Sequence, residues 1–140
     1  PWQIDIKWIN YRHKSITSKK STATLNAGYP SLGLPEEPYK NFKLYLENQN
    51  FVCPSYGEDA KPWCVLSGTN CSSVISELYY LSFEINGVDN FTLQVASDVY
   101  LRQDDETSTC YAMIGASANI KNNNDDIDTD TVVILGIPFF

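Results

Sequence analysis

Apolar residues in this chain recur mostly with period two, in short runs separated by turn residues, and only one stretch keeps the period of a helix. A strand turns successive side chains to opposite faces, so such runs describe half-buried strands. Trp2-Gln3-Ile4-Asp5-Ile6-Lys7-Trp8 places Trp2, Ile4, Ile6 and Trp8 on one face and Gln3, Asp5 and Lys7 on the other. Leu78–Ile85 repeats the pattern, with Tyr79, Leu81, Phe83 and Ile85 together. Asn86-Gly87 then signals a hairpin, and Phe91–Val95 is the returning strand. Thr22–Leu25, ended by the turn signal Asn26-Ala27-Gly28, is a shorter candidate; Cys110–Ile114 and Thr131–Leu135 are two more, the last ended by Gly136. The helical stretch opens at Pro35-Glu36-Glu37-Pro38, residue types that suit a first turn. Tyr39, Phe42 and Leu46 follow at helical spacing, with the stem of Lys43 beside them. Arg12–Lys20 reads as a hairpin or surface loop, residues 53–64 as a loop, and Asn122–Asp126 as a solvated loop. With no internal repeat or boundary, the pattern is one mainly β domain over residues 1–140, with one or two short helices.

Composition sets limits on function. The 140 residues are 43% hydrophobic, enough to build a core. The longest apolar run, Val132–Ile137 with Gly136 counted as neutral, is far short of the roughly 20 residues a membrane helix needs. A net charge of −7 repels phosphate and argues against nucleic-acid partners. The single histidine, His13, excludes a multi-histidine metal site, and nothing in the chain asks for a cofactor. Cys53, Cys64, Cys71 and Cys110 contain no Cys-x-x-Cys, which argues against zinc or dithiol redox chemistry, and they allow three disulfide pairings. Asn70-Cys71-Ser72 and Asn90-Phe91-Thr92 are glycosylation sequons. With an even cysteine count they indicate a secreted or cell-surface protein. A chain opening at Pro1 reads as a mature or cleaved piece of something longer.

Several segments resemble, in order, the C-terminal lobe of the pepsin-like aspartic peptidases. Trp2-Gln3-Ile4 is similar to the lobe's opening strand. Ala23–Pro35 occupies the place of the segment carrying the catalytic Asp-Thr-Gly-Thr. Cys71, the run Phe83-Glu84-Ile85-Asn86-Gly87-Val88, Tyr100-Leu101-Arg102 and Cys110 follow in the family's sequence, and Ile134-Leu135-Gly136 matches its hydrophobic-hydrophobic-Gly strand. The resemblance covers nearly the whole chain. It implies a pepsin-like β lobe in which glycines let the catalytic loop and that last strand approach closely; Gly28 and Gly136 are retained. It also implies a Cys71–Cys110 disulfide, which leaves Cys53–Cys64 as a local staple.

The resemblance implies a lost activity as well. Aspartic peptidases use two carboxylates sharing one proton, one from each lobe. Here the aspartate's place is held by Asn26, and a carboxamide cannot serve as a base. Ala27 replaces the bracing hydroxyl, and Tyr29 follows Gly28. The expectation is a catalytically silent lobe with a structural or protein-binding role. No Asp-Thr-Gly or Asp-Ser-Gly occurs elsewhere; Asp128-Thr129-Asp130-Thr131 lacks the glycine. The family continues beyond its hydrophobic-hydrophobic-Gly strand with closing strands that have no counterpart before Phe140. The lobe is therefore expected to be completed by another protein segment or copy: an N-terminal lobe, a cleaved tail, or a strand donated against Thr131–Phe140 in an assembly.

Two other functions compete: one lobe of a working secreted peptidase whose other lobe is elsewhere, and a glycan-binding β module. The sequence shows no aromatic-plus-carboxamide cluster specific for sugar. Asp126-Ile127-Asp128-Thr129-Asp130 has the opening spacing of a calcium loop but places Thr131 and Ile137 where glycine and glutamate belong. Arg12, Lys14, Lys19 and Lys20 are basic, against acidic Asp104–Glu106 and Asp125–Asp130, an asymmetry that suits ordinary surface scatter or head-to-tail contacts. His13 reads as a surface residue. Tyr29, Tyr79 and Tyr80 read as half-buried packing residues or as the lining of a ligand groove.

Overall fold

A computed structural model of the chain describes residues 3–18, 20–25, 32–57, 63–85, 92–117 and 132–135, with the backbone alone at 3, 4, 24, 25 and 132–135. Trp2, the turn Asn86-Gly87, the loop Asn122–Asp126 and the run Asp126–Asp130 lie outside them. In chain order the elements are β1 (Gln3–Tyr11), β2 (Lys14–Ser15), β3 (Ser21–Leu25), β4 (Leu32–Leu34), α1 (Glu36–Glu47), β5 (Trp63–Ser67), β6 (Leu81–Ile85), β7 (Thr92–Val95), α2 (Ser97–Tyr100), β8 (Leu101–Asp104), β9 (Thr109–Ala116) and β10 (Val132–Leu135). Two 3₁₀ turns, Cys71–Ser73 and Ile75–Glu77, precede β6.

The strands form one sheet in the order β5-β9-β4-β10-β3-β1-β6-β7, with β2 paired to β1 and β8 to β9. Most neighbours are antiparallel, but β10 runs parallel to β3 and β4 parallel to β9. A parallel pair cannot be joined by a tight hairpin, so these pairings need long crossovers, and the chain supplies them between residues 25 and 132 and between 34 and 109. β10 is held on both sides, by β3 and through the Ile134–Gly33 pair by β4, so Val132–Leu135 offers no open edge to a donated strand. The order of the described strands ends at β5 and β7.

The helix follows its sequence signals. Pro35 stands at its N-cap, Glu36 and Glu37 face the positive end of the helix dipole, and Lys40 pairs with Glu36 at 2.8 Å. The backbone N–H and hydroxyl of Ser18 donate to Glu37 Oε1 at 2.6 and 2.9 Å, tying the stretch before β3 to the first turn. Asn50 at φ 71 ends the run in the left-handed conformation that asparagine tolerates, and Phe51 N–H returns to Leu46 O at 3.1 Å. Tyr39, Phe42 and Leu46 are fully buried. The ring of Phe42 meets Tyr11 of β1 at 5.8 Å and Tyr100 of α2 at 5.6 Å. Burying such a side chain contributes about 1.5–3 kcal/mol, which makes this aromatic seam the join between helix and sheet.

Three expectations need correction. The opening alternation does not hold past Ile6, because the β1–β6 register shifts between Ile6 and Trp8. A bulge adds one residue to the strand and reverses which side chains face inward. Trp8 is consequently 37% exposed, while Ile9 and Tyr11 take the buried face. The run Leu78–Ile85 becomes strand only at Leu81: Ile75–Glu77 is a 3₁₀ turn, and Tyr79 is 40% exposed rather than aligned with buried Leu81 and Phe83. Residues 53–64 are not all loop, since β5 starts at Trp63 and runs antiparallel to β9.

Candidate functional site

The resemblance places chemistry in the segment after β3. Ala23 is fully buried, and β3 and β10 run in parallel register from Thr22–Val132 to Leu25–Leu135. Both strands therefore end at the same level of the sheet. Asn26-Ala27-Gly28-Tyr29 continues from the first and Gly136 from the second, and all five lie outside the described residues. On the far side of β10, Gly33 pairs with Ile134, and β4 lies beside Ile114–Ala116 of β9. Beside this frame, Tyr39 donates its hydroxyl to Pro54 O at 2.6 Å, and the hydroxyls of Tyr56 and buried Ser117 lie 3.4 Å apart. Among the described residues the buried polar side chains are serines and a threonine, and no group of three His, Cys, Asp or Glu side chains could hold a metal ion.

The cysteines form two disulfides. Cys53–Cys64 joins the segment after α1 to β5, and Cys71–Cys110 joins the first 3₁₀ turn to β9. Cys64 and Cys110 are fully buried. Asn70 is exposed; its carbonyl accepts from the Ser73 N–H and hydroxyl at 3.1 and 2.7 Å. Asn90 lies outside the described residues. No described helix is long and apolar enough to cross a membrane.

A cavity of about 460 Å³ opens at the other end of β1. Tyr11 lines it, its ring stacked on Tyr45 from the last turn of α1 at a centroid distance of 4.0 Å and an interplanar angle of 24°. The ring of Tyr79 stands edge-on to Tyr11 at 6.1 Å. The Tyr79 backbone is fixed at both ends: its N–H donates to the Tyr11 hydroxyl at 3.0 Å, and its carbonyl accepts from the Tyr100 hydroxyl at 2.8 Å. Burial raises the pKa of both phenols, in Tyr11 against the opposing effect of the Tyr79 N–H, so Tyr100 stays a neutral donor. Arg12 occupies the tip of the β1–β2 hairpin at φ 58, with its guanidinium carbon 4.5 Å from the centre of the Tyr79 ring. His13, Lys14, Asn48, Gln49 and Glu77 complete the rim.

Of the tyrosines the sequence singled out, Tyr79 lines this cavity, Tyr80 faces His13 with its hydroxyl 3.4 Å from Nδ1, and Tyr29 lies outside the described residues. The aromatic-plus-carboxamide cluster missing from the sequence is thus present in space. It comes from residues 11–14, 45–49 and 77–79, which no local pattern connects.

Comparison with known proteins gives three findings. The sequence model of the family described as "Eukaryotic aspartyl protease" matches residues 1–139. Comparison with curated protein sequences returned no match. The crystal structure of an aspartic proteinase from Irpex lacteus is similar over 99% of this chain and 36% of its own, at 16% identity and a TM-score of 0.64. The chain thus spans little more than a third of that protein's length, and the likeness is one of fold.

Proposed function

Because the chain belongs to the eukaryotic aspartyl protease family, we propose that it is a pepsin-like lobe without the catalytic carboxylate, acting as a structural or protein-binding module outside the cell. The observation that carries the reading is the strand frame around the motif. β3 ends at Leu25 in register with Leu135 of β10, a pairing that supports the sequence resemblance in assigning the four residues after Leu25 to the family's catalytic position. Those residues are Asn26, Ala27, Gly28 and Tyr29. Peptide hydrolysis by a shared-proton pair needs one carboxyl to draw a proton from water while the other donates. An asparagine at one member leaves a lone carboxylate in any facing lobe. Ala27 brings no hydroxyl to brace the facing loop.

The two disulfides and the exposed sequon at Asn70 support an oxidising, extracytoplasmic setting. In this reading residues 1–140 are one lobe, completed by a second lobe or another copy.

The test is peptide cleavage by the full-length native protein on a broad peptide library at about pH 3 to 6, with and without a transition-state-mimicking inhibitor of aspartic peptidases. No cleavage above buffer is expected. Cleavage that the inhibitor abolishes would overturn the reading and make the chain half of a working enzyme.

A further inference from the structure

We propose that the cavity between the β1–β2 hairpin, the C-terminal end of α1 and the segment before β6 binds an acidic sugar, a pyranose ring bearing a carboxylate. It opens at the end of β1 opposite to the pairing with Thr24. Gln3 pairs with Thr24, two residues before Asn26, while Tyr11 lies at the opposite end of β1. Those nine residues of strand, eight steps along it, span roughly 25 Å.

The size suits a small ligand: about 460 Å³ lies within the usual range of roughly 300–1,000 Å³ for such sites. The walls suit a sugar. Tyr45, stacked on Tyr11, and Tyr79, with the Arg12 guanidinium over its ring, line the cavity with aromatic surface beside polar groups, and the hydrogen bonds on both sides of Tyr79 hold its backbone in place before a ligand arrives. Asn48 and Gln49 each carry donors and an acceptor, the combination that adjacent hydroxyls accept and return, and Glu77 adds a carboxylate that only accepts. None of these three side chains has a hydrogen-bond partner among the described residues.

The charge suits one carboxylate. Arg12 and Lys14 have no ion-pair partner among the described residues, and with Glu77 the rim carries a net charge of plus one in a chain of net −7. A phosphate dianion would meet Glu77 with too few cations, whereas a single carboxylate matches the guanidinium fork. Arg12 stands at φ 58, where glycine would be free of strain, so the position carries a side chain at a backbone cost. That guanidinium is held over the Tyr79 ring at the mouth of the cavity.

Calorimetric titration of the full-length native protein with trigalacturonate, sialyllactose and neutral lactose tests the proposal. At least one acidic sugar is expected to bind with a Kd below about 1 mM, and lactose at least about tenfold more weakly. Which acidic sugar binds separates a polysaccharide source from a glycoprotein source. R12G and Y79A are each expected to weaken binding at least about tenfold. R12G relieves a strained backbone, so lost binding in a protein that keeps its thermal midpoint assigns the effect to the side chain. Three results would overturn the proposal: no binding of either acidic sugar, equal binding of lactose, or binding unchanged in both variants. Binding of the acidic peptide Glu-Tyr-Glu with no sugar bound would likewise replace it with a peptide site.

Discussion

Replacing Arg12 by glycine sets two opposing effects against each other at one residue. A left-handed backbone costs an L-residue roughly 1–2 kcal/mol, and Arg12 sits at φ 58. Glycine removes that cost but loses roughly 0.5–1 kcal/mol of chain entropy on folding. The guanidinium contact with Tyr79, 4.5 Å from the ring centre at an exposed site, contributes about 0.5–1 kcal/mol and is lost. The backbone hydrogen bond from Arg12 N–H to Tyr80 O, 2.9 Å, is kept in either variant. Arg12→Gly should therefore leave stability almost unchanged, while Arg12→Ala keeps the strain, loses the ring contact and costs about 0.5–1 kcal/mol. Urea denaturation of the three proteins should place the glycine variant above the alanine variant by about 0.5–1 kcal/mol, or about 2–3 °C in Tm. A double-mutant cycle of Arg12→Ala with Tyr79→Leu should return a coupling of about 0.5–1 kcal/mol. An alanine variant as stable as the glycine variant would refute the left-handed turn, and a coupling near zero would refute the guanidinium–ring contact.

Phe42→Ala should cost about 3–5 kcal/mol by urea denaturation, because Phe42 is fully buried between Tyr11 and Tyr100. Replacing Cys71 and Cys110 by alanine should cost about 4 kcal/mol for the 39-residue separation, against about 3 kcal/mol for the 11-residue separation of Cys53 and Cys64, as measured by the difference in denaturation midpoints. Stability should fall as pH rises above 10. Burial raises the phenol pKa of Tyr100 and Tyr11 in the folded chain above the ordinary 10.0, so the unfolded chain ionises first and the stabilisation present below pH 10 is lost above it. Tyr100→Phe should flatten that decline in thermal melts.

What could be read from the sequence was what short stretches decide alone. Glu36–Glu47 carries its own start signal and helical spacing, and β3, β7 and β10 are short strands bounded by turn residues. The bulge at Ile6–Trp8 depends on the partner strand β6, so Trp8 and Ile9 exchange places without any local sign. β5 does alternate, with Cys64 and Leu66 buried and Val65 between them half-buried. Reading Cys53–Cys64 as a loop bracketed by cysteines hid it. The Tyr11–Tyr45–Tyr79 cavity was illegible for a different reason: its three segments meet only after α1 has packed on the sheet through Phe42.

The same packing links the two halves of the functional argument. The pairing of β1 with β3 ends at Gln3 and Thr24, and the cavity lies at the opposite end of β1. The aromatic seam of Tyr11, Phe42 and Tyr100 draws no side chain from β3. That seam also fixes Tyr79 through the Tyr11 and Tyr100 hydroxyls. The residues that stabilise the core are therefore the residues that hold the cavity wall. Tyr100→Phe separates the two roles: it leaves the buried ring and removes only the 2.8 Å bond to the Tyr79 carbonyl. The loss of stability should be about 1 kcal/mol. A larger loss would mean that the hydroxyl carries more of the core than a single hydrogen bond does.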